Sequence, residues 1–193
     1  MWVFDNQIAW HGRIIALNRT IKGEDMLYEN TVPQFTKMLK NLTHILDKGA
    51  AHADAKKFEV SVLLNSRLAP DQLNLIKQVQ IATDSAKLCV SRLTGKEAPT
   101  FADDETTLPQ LKTRIEAVLS YFKTVSAKDF SGAEDKRITQ ARWEGKSLSG
   151  TEYVLQHAIP NVYFHITTTY SILRHNGVDV GKKDFLGEMP YQK

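Results

Sequence analysis

Residues 157–177, HAIPNVYFHITTTYSILRHNG, hold three of the chain's six histidines inside one apolar, helix-forming stretch that closes on Asn-Gly. Leu155, Ile159, Val162, Ile166, Tyr170 and Leu173 recur at helical spacing and predict the core stripe of a helix running from about Gly150 to His175. Asn176-Gly177 is its stop signal. A second face gathers His157, Asn161, Phe164, His165, Thr168, Ile172 and His175. His157 and His165 stand eight residues apart. That is about 12 Å along a helix axis, whereas a zinc ion binds its ligands at about 2 Å. The two cannot chelate one ion as a pair, and the intermediate position, where an i, i+4 ligand would stand, is Asn161. Pro160 removes one backbone donor and predicts a bend beside His157 and Asn161, either as a packing feature or as the opening of a site. His175, next to Arg174, complements the dipole at the helix end.

Three more long helical patterns precede this one. The first is expected to start at the cap Asn30-Thr31, with Pro33 in its opening turn and Phe35, Leu39, Leu42 and Leu46 on its core face. His44 falls on the polar face with Lys37 and Lys40, and His52 near the helix end. After a short turn of helix in SVLLNSRLAPDQL, the second is expected from Pro70. Its stripe is Leu75, Val79, Ala82, Ala86, Cys89, Val90 and Leu93, and Gly95 stops it. Cys89 therefore reads as a small buried hydrophobe rather than a reactive thiol. Thr107 and Pro109 open the third, whose core face is Leu111, Ile115, Val118 and Phe122. Between the third and fourth, DKRITQARWEGKSLSG (135–150) alternates with a period of two around Glu144-Gly145, predicting a small hairpin. The fold class expected is all-α, a four-helix bundle with a β-hairpin before the last helix.

A chain of 193 residues that is 42% hydrophobic can bury one core, and no linker divides it. Its net charge of +3, without a dense basic patch, argues against a nucleic-acid partner. The single cysteine fits a reducing cytoplasm, and no apolar run is long enough for a membrane span. Residues 1–25 stand apart. Lys22-Gly23-Glu24 can be encoded by a purine-rich run like a ribosome-binding site just ahead of Met26. The expectation is that Met26 is the native start and 1–25 are upstream sequence or a cloning remnant. The alternative is a real arm docking through Trp2, Phe4, Ile8 and Trp10.

YENTVPQFTKMLKNL, SRLAPDQLNLIKQVQIATDSAK, DETT, FSGAED and HAIPNVYFHITTTYSILRHNGVDVGKKDFLG resemble the signature blocks of a bacterial family in the DinB-like superfamily, the domain-of-unknown-function family numbered nineteen ninety-three. The likeness runs from about Met26 to Gly187, with the last block the most specific. It implies a DinB-like four-helix bundle over residues 26–193, usually dimeric, in a superfamily of proposed metalloenzymes, some of them thiol-dependent transferases. It also implies a divalent metal, zinc or nickel, held by one histidine of the second helix and an HxxxH pair of the fourth. By position these fall at or near Gln80 and on Asn161 and His165, so only His165 is a strong ligand.

Gln80 and Asp84 lie off the second helix's stripe at i and i+4, so they predict a polar groove with Asn161 and His165 in which Asp84 orients His165. The competing reading makes Gln80, Asp84 and Lys87 a solvated face. Two functions follow. One is a small-molecule-binding homodimer with a remodelled, metal-free site at Gln80, Asp84, His157, Asn161 and His165. The other is a divergent metal-dependent transferase or hydrolase with His165 as the best metal ligand.

Overall fold

The computed structural model describes residues 23–192. The expected docking of Trp2, Phe4, Ile8 and Trp10 falls outside them. Four long helices form the bundle: α1 (Gly23–Lys56), α3 (Leu75–Thr94), α4 (Leu108–Phe122) and α6 (Ile159–His175). Short helices α2 (Ser61–Leu64), α5 (Gly150–Glu152) and α7 (Lys182–Leu186) attach at their ends. α3 packs along α6 on one side and α4 on the other, and α1 closes the square against α4 and α6. One continuous core fills the space, with Phe35, Leu39, Leu42, Leu75, Leu111 and Ile115 at 1% exposure or less. The bundle and the hairpin follow the expectation. No helix among the described residues is long and apolar enough to cross a membrane.

Two helix starts differ from the sequence reading. α1 begins before Asn30, and Pro33 lies inside it. The Asn30 and Thr31 side chains fold back on the preceding turn, donating to the Met26 and Leu27 carbonyls at 2.9 and 2.6 Å, rather than capping forward. α3 begins at Leu75, not Pro70, because Asn74 is the true cap: its side chain accepts from the Lys77 N–H at 3.1 Å. The other ends fall where local chemistry puts them. Thr107 and Gln110 form a capping box at the start of α4, and Gly95, at φ 78°, ends α3 in the left-handed conformation.

The hairpin is smaller than the alternating pattern suggested. Strands β1 (Ile138–Thr139) and β2 (Ser147–Leu148) pair antiparallel around a 3-10 turn, Ala141–Trp143, with Glu144 in the left-handed region at φ 53°. A π-helical turn, Tyr153–Ala158, joins α5 to α6. There the Ile159 N–H reaches back five residues to the Val154 carbonyl, and Pro160 has no N–H with which to follow. The wider turn shifts the phase of the helix N-terminal to it. Val154 and Ala158 are buried, while Leu155, expected in the core stripe, is 53% exposed.

Past α6 the chain turns at Gly177 (φ 84°), buries Val178 and Val180, and returns α7 to α1. There Asp184 accepts from Lys48 at 3.1 Å and pairs with His44 at 3.0 Å. His44 is thus exposed but tied to the C-terminal segment. His52 packs edge-on against Phe58, with ring centroids 5.9 Å apart.

Candidate functional site

α3, the π turn and α6 carry the expected site residues, but the helices' rotation about their axes sends them to three different places. Gln80 and Asp84 turn toward α4. Gln80, 2% exposed, donates to Glu105 Oε2 at 2.7 Å, and Asp84 pairs with Arg114 at 2.7 Å and Lys87 at 3.1 Å. Arg114, 2% exposed, also binds Asp103 at 2.6 Å and Glu105 at 3.0 Å and donates to Thr83 Oγ1 at 2.7 Å. The Phe101 ring lies 4.2 Å from the guanidinium and 4.7 Å from the Lys87 amine. Burial alone would raise the Glu105 carboxyl, but hydrogen bonds from Arg114 and Gln80 outweigh it and hold the group below its ordinary value. Neither expectation for this face holds. Asp84 does not orient His165, and Gln80 and Lys87 (6% exposed) are buried in an ion network rather than solvated.

His165, 8% exposed, sits at the α3–α6 contact with its Nδ1 2.7 Å from Gln78 Oε1. Gln78 Nε2 donates to the Leu73 carbonyl at 2.9 Å, so the amide oxygen faces the imidazole and Nδ1 carries the proton. Burial depresses the His165 pKa and keeps the ring neutral near pH 7. Asn161 donates to Ser85 Oγ at 2.7 Å. The position on α3 that faces the fourth-helix ladder is therefore Ser85, with Gln78 two turns earlier, and not Gln80.

His157, Asn161 and Asp84 do border one cleft of about 410 Å³, beside the π turn and beneath the hairpin. Ile81, Leu88 and Ala158 supply apolar wall. Its other groups were not foreseen: Ser85, Arg92, Gln140, Arg142 and Tyr153. Arg92, from the last turns of α3, donates to Tyr153 Oη at 2.8 Å, and Arg142, from the hairpin's 3-10 turn, donates to His157 Nε2 at 2.8 Å. The Tyr153 and His157 rings stack with centroids 5.5 Å apart, and Trp143 stands edge-on to both. Burial, then Arg142 and Arg92, lower the His157 pKa, while burial pushes the Tyr153 hydroxyl up to about 12. Both rings are neutral near pH 7. No spacing rule joins Arg92 and Arg142, fifty residues apart, so the hairpin's docking is the only signal that pairs them.

The donors do not fit the superfamily's metal cage. Of the three carried-over positions Gln80 faces away, Asn161 offers an amide already bound to Ser85, and only His165 offers an imidazole. Zinc and nickel favour imidazole and thiolate over a neutral amide or hydroxyl. The adjoining cleft carries two guanidiniums, which repel a dication. Among the described residues no three His, Cys, Asp or Glu side chains come together as a cage. Cys89 is fully buried, and burial raises its thiol far above the ordinary range, so it offers no thiolate.

The family described as domain of unknown function (DUF1993) matches residues 27–186. Among solved structures, a DinB family member protein from Shewanella denitrificans is 59% identical, covering 88% of this chain and 97% of its own, with a TM-score of 0.86. No curated protein matches the chain.

Proposed function

Because the chain belongs to the DUF1993 family and is built as a DinB-family bundle, we propose that it is a small-molecule-binding protein of the bacterial cytoplasm, a homodimer whose site beside α6 works without a metal. The observation that carries this is the replacement of a histidine cage by a cleft of hydrogen-bonding side chains, in which His157 and Asn161 stand with Ser85, Arg92 and Arg142. A single-turn π segment at its edge supports the reading, since such turns recur at functional sites. The dimer rests on the family likeness; sedimentation equilibrium giving a monomer mass would remove it.

A divergent metal-dependent transferase or hydrolase is the second reading. It is favoured by His165 alone, whose Nε2 takes no part in the Gln78 bond. Elemental analysis of protein purified without chelator or metal-affinity resin separates the two. The expected result is no stoichiometric zinc or nickel. One metal per chain, lost in His165→Ala, would establish the second reading instead.

A further inference from the structure

The cleft's unspent polar groups define the class of ligand it takes, given the reading that it is a small-molecule site. Arg92 and Arg142 each commit one N–H to a neutral acceptor, Tyr153 Oη and His157 Nε2. Among the described residues neither lies within ion-pair distance of a carboxylate. A guanidinium has five N–H donors, so most of each fork is left over. Arg114 shows the opposite case, with three carboxylates around it. Asp84, the carboxylate among the cleft's lining residues, pairs with Arg114 and Lys87 and forms no ion pair with the other two arginines.

Two further polar atoms of the lining point the same way. Arginine only donates, so His157 Nε2 must be the acceptor in its bond with Arg142 and the ring proton sits on Nδ1. That Nδ1 and the Gln140 Nε2 are buried with no partner, and both are donors. Unpaired buried donors are costly and are met by an acceptor-rich partner. Ile81, Leu88 and Ala158 also line the cleft and contribute no charge.

We infer that the cleft binds a small organic oxyanion, a carboxylate or phosphate monoester head on a short apolar body, with Arg92 and Arg142 gripping the head and Ile81 and Leu88 covering the body. Arginine forks match both heads in geometry and charge. The test uses four probes that share one body: hexanoate, hexyl phosphate, hexanol and hexylamine. They are titrated into full-length protein while amide shifts of Ser85, Tyr153 and Ala158 are followed by NMR. At least one of the two anions is expected to bind with a Kd near or below about 1 mM, and hexanol and hexylamine at least about tenfold more weakly. Which anion binds more tightly identifies the head. Arg142→Gln, at an exposed position where folding is not at stake, is expected to weaken the anion at least about tenfold and leave hexanol unchanged. Hexanol or hexylamine binding at these amides without either anion overturns the inference while leaving the small-molecule reading in place. Anion binding that Arg142→Gln and Arg92→Gln both leave unchanged also overturns it. No shift with any probe overturns the inference and removes support from the reading beneath it.

Discussion

His165 Nδ1 donates to Gln78 Oε1 at 2.7 Å across the α3–α6 contact, and Gln78 in turn donates to the Leu73 carbonyl at 2.9 Å. The histidine that looks most like a metal ligand in the sequence is thus a strut between the two most closely packed helices. Gln78→Leu removes the acceptor and leaves a buried imidazole N–H unpaired, at an expected cost of about 1–3 kcal/mol in urea unfolding. The double variant with His165→Leu should recover part of that loss, since the imidazole N–H is then no longer stranded. A single variant as stable as the parent would show that the bond contributes nothing.

Stability should depend on pH through two histidines, buried His165 and half-buried His157. Burial, joined at His157 by Arg142 and Arg92, holds both folded pKa values below the ordinary one. The unfolded chain therefore binds more protons as pH falls through about 6.5. The stability they contribute is complete above that pH, declines below it, and levels off once the folded rings also protonate. Urea midpoints measured from about pH 8 to pH 5 should show this fall, and His165→Gln should flatten it. Midpoints independent of pH over that range would contradict the assignment.

Buried Arg114 joins half-buried Asp84 and Glu105 to exposed Asp103 at the bundle's edge. Arg114→Met should cost about 1–3 kcal/mol, because the half-buried carboxylates of Asp84 and Glu105 lose their charged partner while exposed Asp103 returns to water. It should also speed hydrogen exchange in the α3–α4 connection, where Phe101 covers the guanidinium. Unchanged exchange there would mean the network does not hold that segment.

Gly150 starts the helix after the hairpin, and a Cβ there would run into the Ala133 backbone carbonyl. Gly150→Ala should cost about 1–3 kcal/mol, since a backbone atom must move. Gly49 is the control. A Cβ there meets side-chain atoms alone, Leu173 at 3.1 Å and Leu63 at 3.7 Å, which need give by only a few tenths of an ångström, so Gly49→Ala should be markedly milder. Thermal unfolding of both variants checks the order.

Asp184 pins α7 to α1. The Gly181 backbone N–H, chiefly, brings its carboxyl down to about 2 against the opposing effect of burial, with His44 and Lys48 adding to the fall. Asp184→Asn should raise hydrogen exchange in Lys182–Leu186 while leaving α3 and α6 protected. The same loosening should appear in the parent protein as pH falls toward about 2. Protection of α7 that survives the substitution would place its anchor elsewhere, in Phe185 on Tyr170 or the Asn41 bond to the Phe185 carbonyl.

What the sequence by itself determined is what short-range physics settles. The apolar stripe Leu75–Leu93 is buried throughout, and the Thr107 cap, the Gly95 stop and the Asn176-Gly177 stop act within one turn of chain. The family likeness was also readable, because it is written in contiguous blocks. The misreadings at Asn30 and Pro70 were local as well. At Asn30 and Thr31 the cap-forming side chains bond backward along the helix, and past Pro70 the forward cap is Asn74; composition does not distinguish these choices.

Tertiary structure alone decided the site. Helical spacing puts Gln80, Asp84, Asn161 and His165 off their stripes, but not which neighbour each off-stripe face meets. That depends on the rotation of α3 between α4 and α6, which turns Gln80 and Asp84 to Arg114 and leaves Ser85 and Gln78 facing the fourth helix. The π turn then shifts the helical phase by about one residue, exposing Leu155. Arg142 reaches His157 only because the hairpin folds over α3 and the π turn. Rotation, phase and docking are set by how whole faces pack, so they are absent from any window of sequence.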